Sequence, residues 1–123
     1  ELYFANNTVV NDRPAGGRFL FVKAGADAAW IVNNVFSGRG EVLSGPGELR
    51  NNVVAAKSDF VDAAGFDYRR KAGAAAIGRG IDPGSINGFE LRPTAEYAHK
   101  AGKRPRSNSG KLDLGALEYR RER

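Results

Sequence analysis

The chain has 123 residues, the length of one domain, and a formal net charge of +5. It contains no cysteine, which excludes a disulfide framework, and no apolar run reaches the roughly 18 residues that a membrane-spanning helix needs. Sixteen glycines among short apolar segments favour a turn-rich all-β protein, and the positive charge favours an anionic partner without choosing one.

A nine-residue phrase occurs three times in the first half of the chain, at residues 2–10, 29–37 and 47–55. Each copy carries an Asn-Asn pair. The pairs are Asn6-Asn7, Asn33-Asn34 and Asn51-Asn52. Asparagine tolerates the left-handed backbone region and bonds its own backbone, so each pair predicts a sharp corner between two short strands.

Apolar residues occupy the positions two before and two after every Asn pair. The first column is Phe4, Ile31 and Leu49, and the second is Val9, Phe36 and Val54. Because side chains alternate between the two faces of a strand, both columns are predicted to point inward and to lie in register inside one core. Identical corners repeated along the chain predict coils stacked about 4.8 Å apart, with the Asn side chains in a ladder.

The intervals between the pairs, 27 and 18 residues, each contain one more short strand, at 18–23 and 41–44. Three strands and three turns per interval predict a triangular solenoid whose insertions fall in its loops. A β-sandwich with similar strands is the alternative, and the constant strand order disfavours it.

The repeat ends after Ala56. We expect a last strand over 57–62, one helical turn or a strand within 72–80, an irregular wrap over 81–108 and a final alternating strand over 112–119. Residues 1–56 are therefore predicted to form the coils, and residues 57–123 the last coil and a C-terminal capping wrap, within one domain. Nothing before Leu2 could cap the first coil, so that end is expected to be open.

Several segments resemble the right-handed parallel β-helix proteins of the pectate-lyase-like superfamily, in particular the C-terminal coils and cap of secreted bacterial members. Beside the Asn corners, they are Phe60-Val-Asp62, Asp67-Tyr68, residues 74–80, Asp82-Pro-Gly84, Asn87-Gly88 and the closing stretch 111–119. One departure is the stretch Ala76-Ile-Gly-Arg79, where relatives often carry an aspartate after the aliphatic residue. The resemblance implies an all-β parallel β-helix fold and a secreted or periplasmic protein.

Members of this superfamily often cleave or bind polysaccharides that contain uronic acids, with catalytic sites on central coils. Because the chain resembles only the last coils, the resemblance carries over no catalytic residue. We expect a C-terminal segment of a β-helix protein that binds or processes acidic polysaccharide, itself non-catalytic. The alternatives are a small polysaccharide lyase or glycoside hydrolase and, less favoured because no recognised motif is present, a nucleic-acid-binding domain.

Cations cluster in three groups, at 69–71, 100–106 and 120–123. The residues predicted to bind ligand are Arg69, Arg70, Lys71, Lys100, Lys103 and Arg104. Arginine pairs with carboxylates through two parallel hydrogen bonds, which suits uronates, and Tyr68 and Tyr97 are placed to stack on sugars. A solvated charged surface is the alternative for all of these groups.

The sequence offers few groups for other chemistry. His99 is the single histidine, so a transition-metal site is not expected, and no cofactor is predicted. The one alternative is a Ca²⁺ site at Asp59, Asp62 and Asp67, for which a solvated turn is the competing interpretation. The expected partners are acidic polysaccharide and either upstream β-helix coils or a second copy at the open N-terminal end.

Overall fold

The computed structural model describes residues 1–107 and 110–121, and this part of the chain is all-β apart from one 3₁₀ turn at Lys57–Asp59. The strands are β1 Leu2–Ala5, β2 Thr8–Asn11, β3 Arg18–Phe21, β4 Ala29–Val32, β5 Val35–Gly38, β6 Glu41–Ser44, β7 Glu48–Arg50, β8 Val53–Ala55, β9 Phe60–Asp62, β10 Asp67–Arg70, β11 Ser85–Ile86, β12 Phe89–Glu90, β13 Ala95–Ala98 and β14 Gly102–Pro105. None of the described residues forms a helix long and apolar enough to cross a bilayer.

The repeated phrases form two small parallel sheets, and the strands between the phrases form a third. The strands before the corners form the first sheet, in the order β1-β4-β7, and the strands after them form the second, β2-β5-β8; β3 and β6 form the third. Phe4 pairs with Ile31 and Ile31 with Leu49 in the first sheet. Val9, Phe36 and Val54 align in the same way in the second, so the predicted register of both columns is confirmed.

The corners connect the phrases to one another. Asn6, Asn33 and Asn51 have φ angles of 55°, 58° and 55°, a left-handed conformation in which asparagine costs less than most residues. The backbone N–H of Asn7 donates to Asn34 Oδ1 at 2.8 Å, and that of Asn34 to Asn52 Oδ1 at 3.0 Å. Side-chain amides add Asn7 Nδ2 to Asn34 Oδ1 at 3.1 Å and Asn34 Nδ2 to Asn52 Oδ1 at 2.9 Å, which is the predicted ladder.

Burial along the inward columns is uneven. Ile31 and Phe36, in the middle phrase, have no exposed surface, whereas Leu49 is 50% and Val54 62% exposed. The register prediction was therefore right, but the prediction that all six residues share one buried core was wrong. The cause is that no described segment covers the end of the third phrase.

The C-terminal half lies along the side of the phrases rather than over their end. The side-chain amide of Asn6 donates to Asp113 O at 3.1 Å, that of Asn33 to Ile81 O at 2.6 Å and that of Asn51 to Arg79 O at 2.7 Å. The core beside the second sheet joins Val35, Phe60, Ala76 and Leu114. The C-terminal half is held there because the corners offer donors sideways and the position after each corner is apolar or bears a methyl group.

The predicted final strand over 112–119 was wrong. Leu114 N donates to Ala76 O at 2.9 Å and Gly115 N to Asn33 O at 2.7 Å, so this stretch bonds to separate loops and corners instead of one strand edge. Gly115 has a φ of 83°, and a Cβ there would meet Thr8 Oγ1 at 2.6 Å and Val35 Cγ2 at 2.9 Å. Close approach to the second sheet, and not strand pairing, determines its path.

The segments between the repeat and the closing stretch are more regular than expected. The wrap predicted over 81–108 contains two antiparallel hairpins, β11-β12 and β13-β14. Asn87-Gly88, with φ angles of 49° and 79°, forms the two-residue turn of the hairpin β11-β12. This dipeptide is a strong local signal for a hairpin. The strand expected over 57–62 is shortened by the 3₁₀ turn to β9, which pairs antiparallel with β10, and 72–80 forms turns and irregular chain.

We predict that Ile31→Asp lowers the free energy of unfolding by roughly 4 kcal/mol, because it buries a carboxylate without a partner. Leu49→Asp, the same change in the same column at a half-exposed position, should cost about 1 kcal/mol. Urea denaturation of both variants measures the difference. Equal losses would contradict the burial gradient between the second and third phrases.

Candidate polyanion-binding site

Arg70 holds the closing stretch in place. Only 5% of the residue is exposed, and its two terminal nitrogens donate to the backbone carbonyls of Leu114 and Leu117. Burial lowers the pKa of the Arg70 guanidinium, and the nearby Asp113 carboxylate opposes that change. Its Nε atom has no hydrogen-bond partner among the described residues. Arg70 therefore belongs mainly to the frame of the site and not to its accessible surface.

Glu96, on β13, organises two of the arginines at the site. Its side chain is fully buried and accepts from Arg104 Nε at 2.6 Å, from Arg120 Nε at 3.2 Å and from the backbone N–H of Glu118 at 2.8 Å. Burial pushes the pKa of the Glu96 carboxyl upward, but these donors outweigh it, and the net effect is a lowered pKa. A buried carboxylate thus fixes two guanidinium groups whose outer parts remain exposed.

These residues line a concavity of about 470 Å³, which we call the cationic cavity. Its lining residues are Val61, Arg69, Arg70, Lys71, Ala72, Arg104, Glu118, Tyr119, Arg120 and Arg121. Six of the ten are cations, and one is a carboxylate. Glu118 is already paired, because its Oε1 accepts a hydrogen bond from Arg106 Nε at 2.9 Å. Within residues 1–107 and 110–121, neither Lys71 nor Arg121 has a carboxylate at ion-pair distance, so both can meet an anionic ligand.

A second concavity of about 780 Å³ adjoins the first, and we call it the aromatic cavity. Its lining residues are Gly65, Phe66, Asp67, Tyr68, Arg69, Tyr97, Ala98, His99, Arg104 and Leu117. Phe66 is 74% and Tyr97 58% exposed, and the Tyr97 hydroxyl lies 3.4 Å from His99 Nδ1. Arg69 and Arg104 line both cavities, so a charged wall separates an aromatic half from a cationic half.

The structure brings together only part of the predicted ligand set. Arg69, Lys71 and Arg104 line the cationic cavity, and Tyr68 and Tyr97 lie in the aromatic cavity. Lys100 and Lys103 line neither. Arg70 also borders the cationic cavity, but it is buried and its two terminal nitrogens donate to the backbone carbonyls of Leu114 and Leu117.

Arg120 and Arg121 come from the third basic group, which the sequence presents as a charged tail outside the predicted ligand set. Bonds from Arg120 to Glu96, 24 positions earlier, and to Pro105 O bring them to the site. Phe66 is likewise absent from the predicted set. No local pattern links these residues to Arg69, so only the fold reveals their proximity.

Two of the three carboxylates proposed for Ca²⁺, Asp62 and Asp67, have other partners. Asp62 Oδ1 accepts from the backbone N–H of Gly65 at 3.1 Å, and Asp67 forms an ion pair with Arg69 at 2.6 Å. In the part of the chain that the structure describes, no three histidine, cysteine, aspartate or glutamate residues are grouped as metal ligands.

No protein family, no curated protein and no solved structure matches this chain. The function of the site is therefore inferred from its geometry and from the sequence patterns.

We predict that Glu96→Gln weakens the dependence of stability on acid pH. A carboxyl whose pKa is lowered on folding stabilises the protein above its unfolded pKa, near 4.5, and loses that contribution as the pH falls through the folded value. Melting temperatures between about pH 3 and about pH 7 should therefore fall less steeply for the variant. Glu90→Gln, an exposed control, should retain the steep wild-type profile, and identical profiles for all three proteins would refute this role of Glu96.

Proposed function

We propose that this chain is the C-terminal segment of a secreted, right-handed parallel β-helix protein, and that it binds acidic polysaccharide without itself being catalytic. Three features support the β-helix. Each strand of a phrase pairs in parallel with the strand three elements later, the phrases keep their order in all three sheets, and the Asn ladder joins the corners. Polysaccharide is proposed as the ligand because of the resemblance to the pectate-lyase-like superfamily.

The observation that carries the binding proposal is the cationic cavity. Lys71 and Arg121 have no carboxylate partner among the described residues, while Arg104 and Arg120 are positioned by one buried carboxylate. Guanidinium groups bind carboxylates through paired charge-assisted hydrogen bonds, and a polymer with one carboxylate per sugar can satisfy several cations at once. The binding energy is then distributed over the wall and should depend on ionic strength.

The adjoining aromatic cavity adds contacts of another kind. Tyr97 and Phe66 present exposed rings, and Arg69 and Arg104 stand between these rings and the cationic cavity. A uronate ring has an apolar C–H face as well as a carboxylate. It can therefore lie against an aromatic ring while its carboxylate reaches the shared arginines, which is the combination of apolar and polar contacts typical of ligand sites.

Binding is favoured over turnover because elimination on a uronate needs a base, a carboxylate neutraliser and a proton donor held in one cleft. On the outward faces of the strands, Glu48 and Arg50 form an exposed ion pair at 3.3 Å, and the Arg18 guanidinium lies 4.6 Å from the centre of the Phe21 ring. The charged groups of Glu48, Arg50 and Arg18 therefore already have neighbouring side chains as partners at the surface.

The alternative function, a small lyase or hydrolase, is favoured by one observation. Tyr97 and His99 lie side by side, next to Arg69 and Arg104, in the aromatic cavity. A hydroxyl, an imidazole and two guanidinium groups are the types of group that elimination requires. Their exposure to solvent argues against it, because water weakens the electrostatic stabilisation on which such catalysis depends.

The partner at the N-terminal side of the first phrase is proposed to be further β-helix coils or a second copy. Phe4 and Val9 continue the inward columns to that side and are only half-buried, although Ile31 and Phe36 are fully buried. Another coil in register would bury them and would pair with the free edges of β1 and β2.

We predict salt-sensitive binding to polygalacturonate and alginate, and none to a neutral polymer such as dextran. The double variant Lys71→Ala, Arg121→Ala should weaken binding about tenfold, because two charge-assisted contacts are lost. Titration calorimetry at low and physiological salt measures both effects. The matched control, Arg13→Ala with Lys23→Ala, removes the same charge elsewhere and should change affinity little; an equal loss in the control would point to unspecific charge attraction.

We predict no release of unsaturated products or of new reducing ends from either polymer, since no described cleft combines the required groups away from water. Absorbance of unsaturated products and a reducing-end assay measure the two reactions. Turnover that disappears in Tyr97→Phe and His99→Ala, but persists in Phe89→Ala, would replace the binding proposal by the lyase alternative.

A further inference from the structure

A separate cleft of about 320 Å³ lies on the outward face of the first sheet, and we call it the first-sheet cleft. Tyr3, Trp30, Glu48 and Arg50 contribute to it from the strands, and residues 82–86 with Leu91 line it from the C-terminal half. None of its lining residues belongs to the cationic or the aromatic cavity.

The wall of this cleft is fixed by the Asn corners. Asn33 accepts from the backbone N–H of Ile81 at 3.1 Å and donates to Ile81 O at 2.6 Å, so residue 81 is held beside the end of β4. The chain then turns, with Gly84 N donating to Asp82 Oδ1 at 2.9 Å and Leu91 N to Gly84 O at 3.0 Å. The cleft is therefore formed before any ligand binds.

An aromatic row runs along the opposite side. Tyr3 pairs with Trp30 and Trp30 with Glu48 across adjacent strands, so the side chains follow one another at about the 4.8 Å strand spacing. Trp30 is 39% exposed, although Val32, two residues away on the same outward face, is only 7% exposed. The cleft thus combines a closed aliphatic base with a row of accessible rings.

The charge of the first-sheet cleft is opposite in character to that of the cationic cavity. Glu48 lies 3.3 Å from Arg50, Glu1 accepts from the Tyr3 hydroxyl at 2.9 Å, and Asp82 stands in the wall. The two carboxylates and one guanidinium of the lining, with Glu1 bonded to the lining residue Tyr3, disfavour a polyanion there. Planar carboxylate and guanidinium groups at the end of an aromatic row remain good hydrogen-bond partners for uncharged hydroxyls.

We propose that the first-sheet cleft binds a neutral hexopyranose unit of a polysaccharide, with the sugar chain running along the row from Tyr3 to Glu48. A pyranose ring places an apolar C–H face against Tyr3 and Trp30, and the hydroxyls at its rim meet Glu48 and Arg50. The preformed shape, the mainly apolar base and a few convergent polar groups are the features that small-molecule sites share. This inference goes beyond the proposed binding of acidic polymer and does not depend on it.

The test uses the fluorescence of Trp30, the single tryptophan of the protein. The whole chain is titrated with hexasaccharides of glucose, mannose and galactose, and with hexagalacturonate. We expect a saturable change in Trp30 emission with at least one neutral sugar and none with hexagalacturonate. Tyr3→Ala and Arg50→Ala should each weaken that response about tenfold, because each removes one side of the ring's contacts.

Phe89→Ala is the matched control, because Phe89 is 72% exposed on the hairpin that continues the wall but does not line the cleft. It should bind like the wild type. The proposal is overturned if no neutral sugar changes the emission, or if Tyr3→Ala and Arg50→Ala, shown to be folded by circular dichroism, respond like the wild type. A response only to hexagalacturonate also overturns it.

Discussion

The hydrogen bonds of the corner asparagines are the interaction on which the rest of the structure depends. Asn33 and Asn34 are completely buried, and an unpaired buried amide would cost several kcal/mol. The second asparagine of a pair forms hydrogen bonds between phrases, as Asn34 does with Asn7 and Asn52. The first asparagines bond both ways: Asn51 Nδ2 donates to Asn33 Oδ1 at 2.9 Å, and the amides of all three also donate sideways to carbonyls of the C-terminal half. One residue type therefore sets both the stacking of the phrases and the path of the chain after them.

The sideways bonds of the corner asparagines explain why the two cavities and the cleft exist. The corner bonds hold Ile81 beside the first sheet and Asp113 beside the first corner, and the chain between them has to leave and return. The hairpins β11-β12 and β13-β14 form in this intervening segment. The first becomes a wall of the first-sheet cleft, and the second carries Glu96, the carboxylate that positions two cations of the cationic cavity.

Local patterns were sufficient for the repeated half of the chain. The register of Phe4, Ile31 and Leu49 follows from apolar spacing about an Asn pair, because strand alternation and the corner conformation are properties of a few neighbouring residues. The closing stretch was mispredicted for the converse reason. Its alternation indicates a strand, yet the path at Gly115 is decided by contact with Thr8 and Val35, which are distant in sequence. The burial of Arg70 could not be predicted for the same reason, since whether an arginine is buried or exposed depends on backbone carbonyls that only the fold brings close to it.

The arginines show how one residue type acquires opposite roles in adjacent positions. Arg70 and Arg106 point into the protein and bind the carbonyls of the closing stretch, while Arg69 and Arg104 stand at the surface. The buried pair costs desolvation, which is offset because Glu96, Glu118 and the carbonyls are assembled around it. Of these acceptors, Glu96 also binds Arg104 and Arg120, which lie at the surface. The framework that secures the closing stretch thus also concentrates positive charge on one face, so binding of an anion there needs little further ordering of side chains.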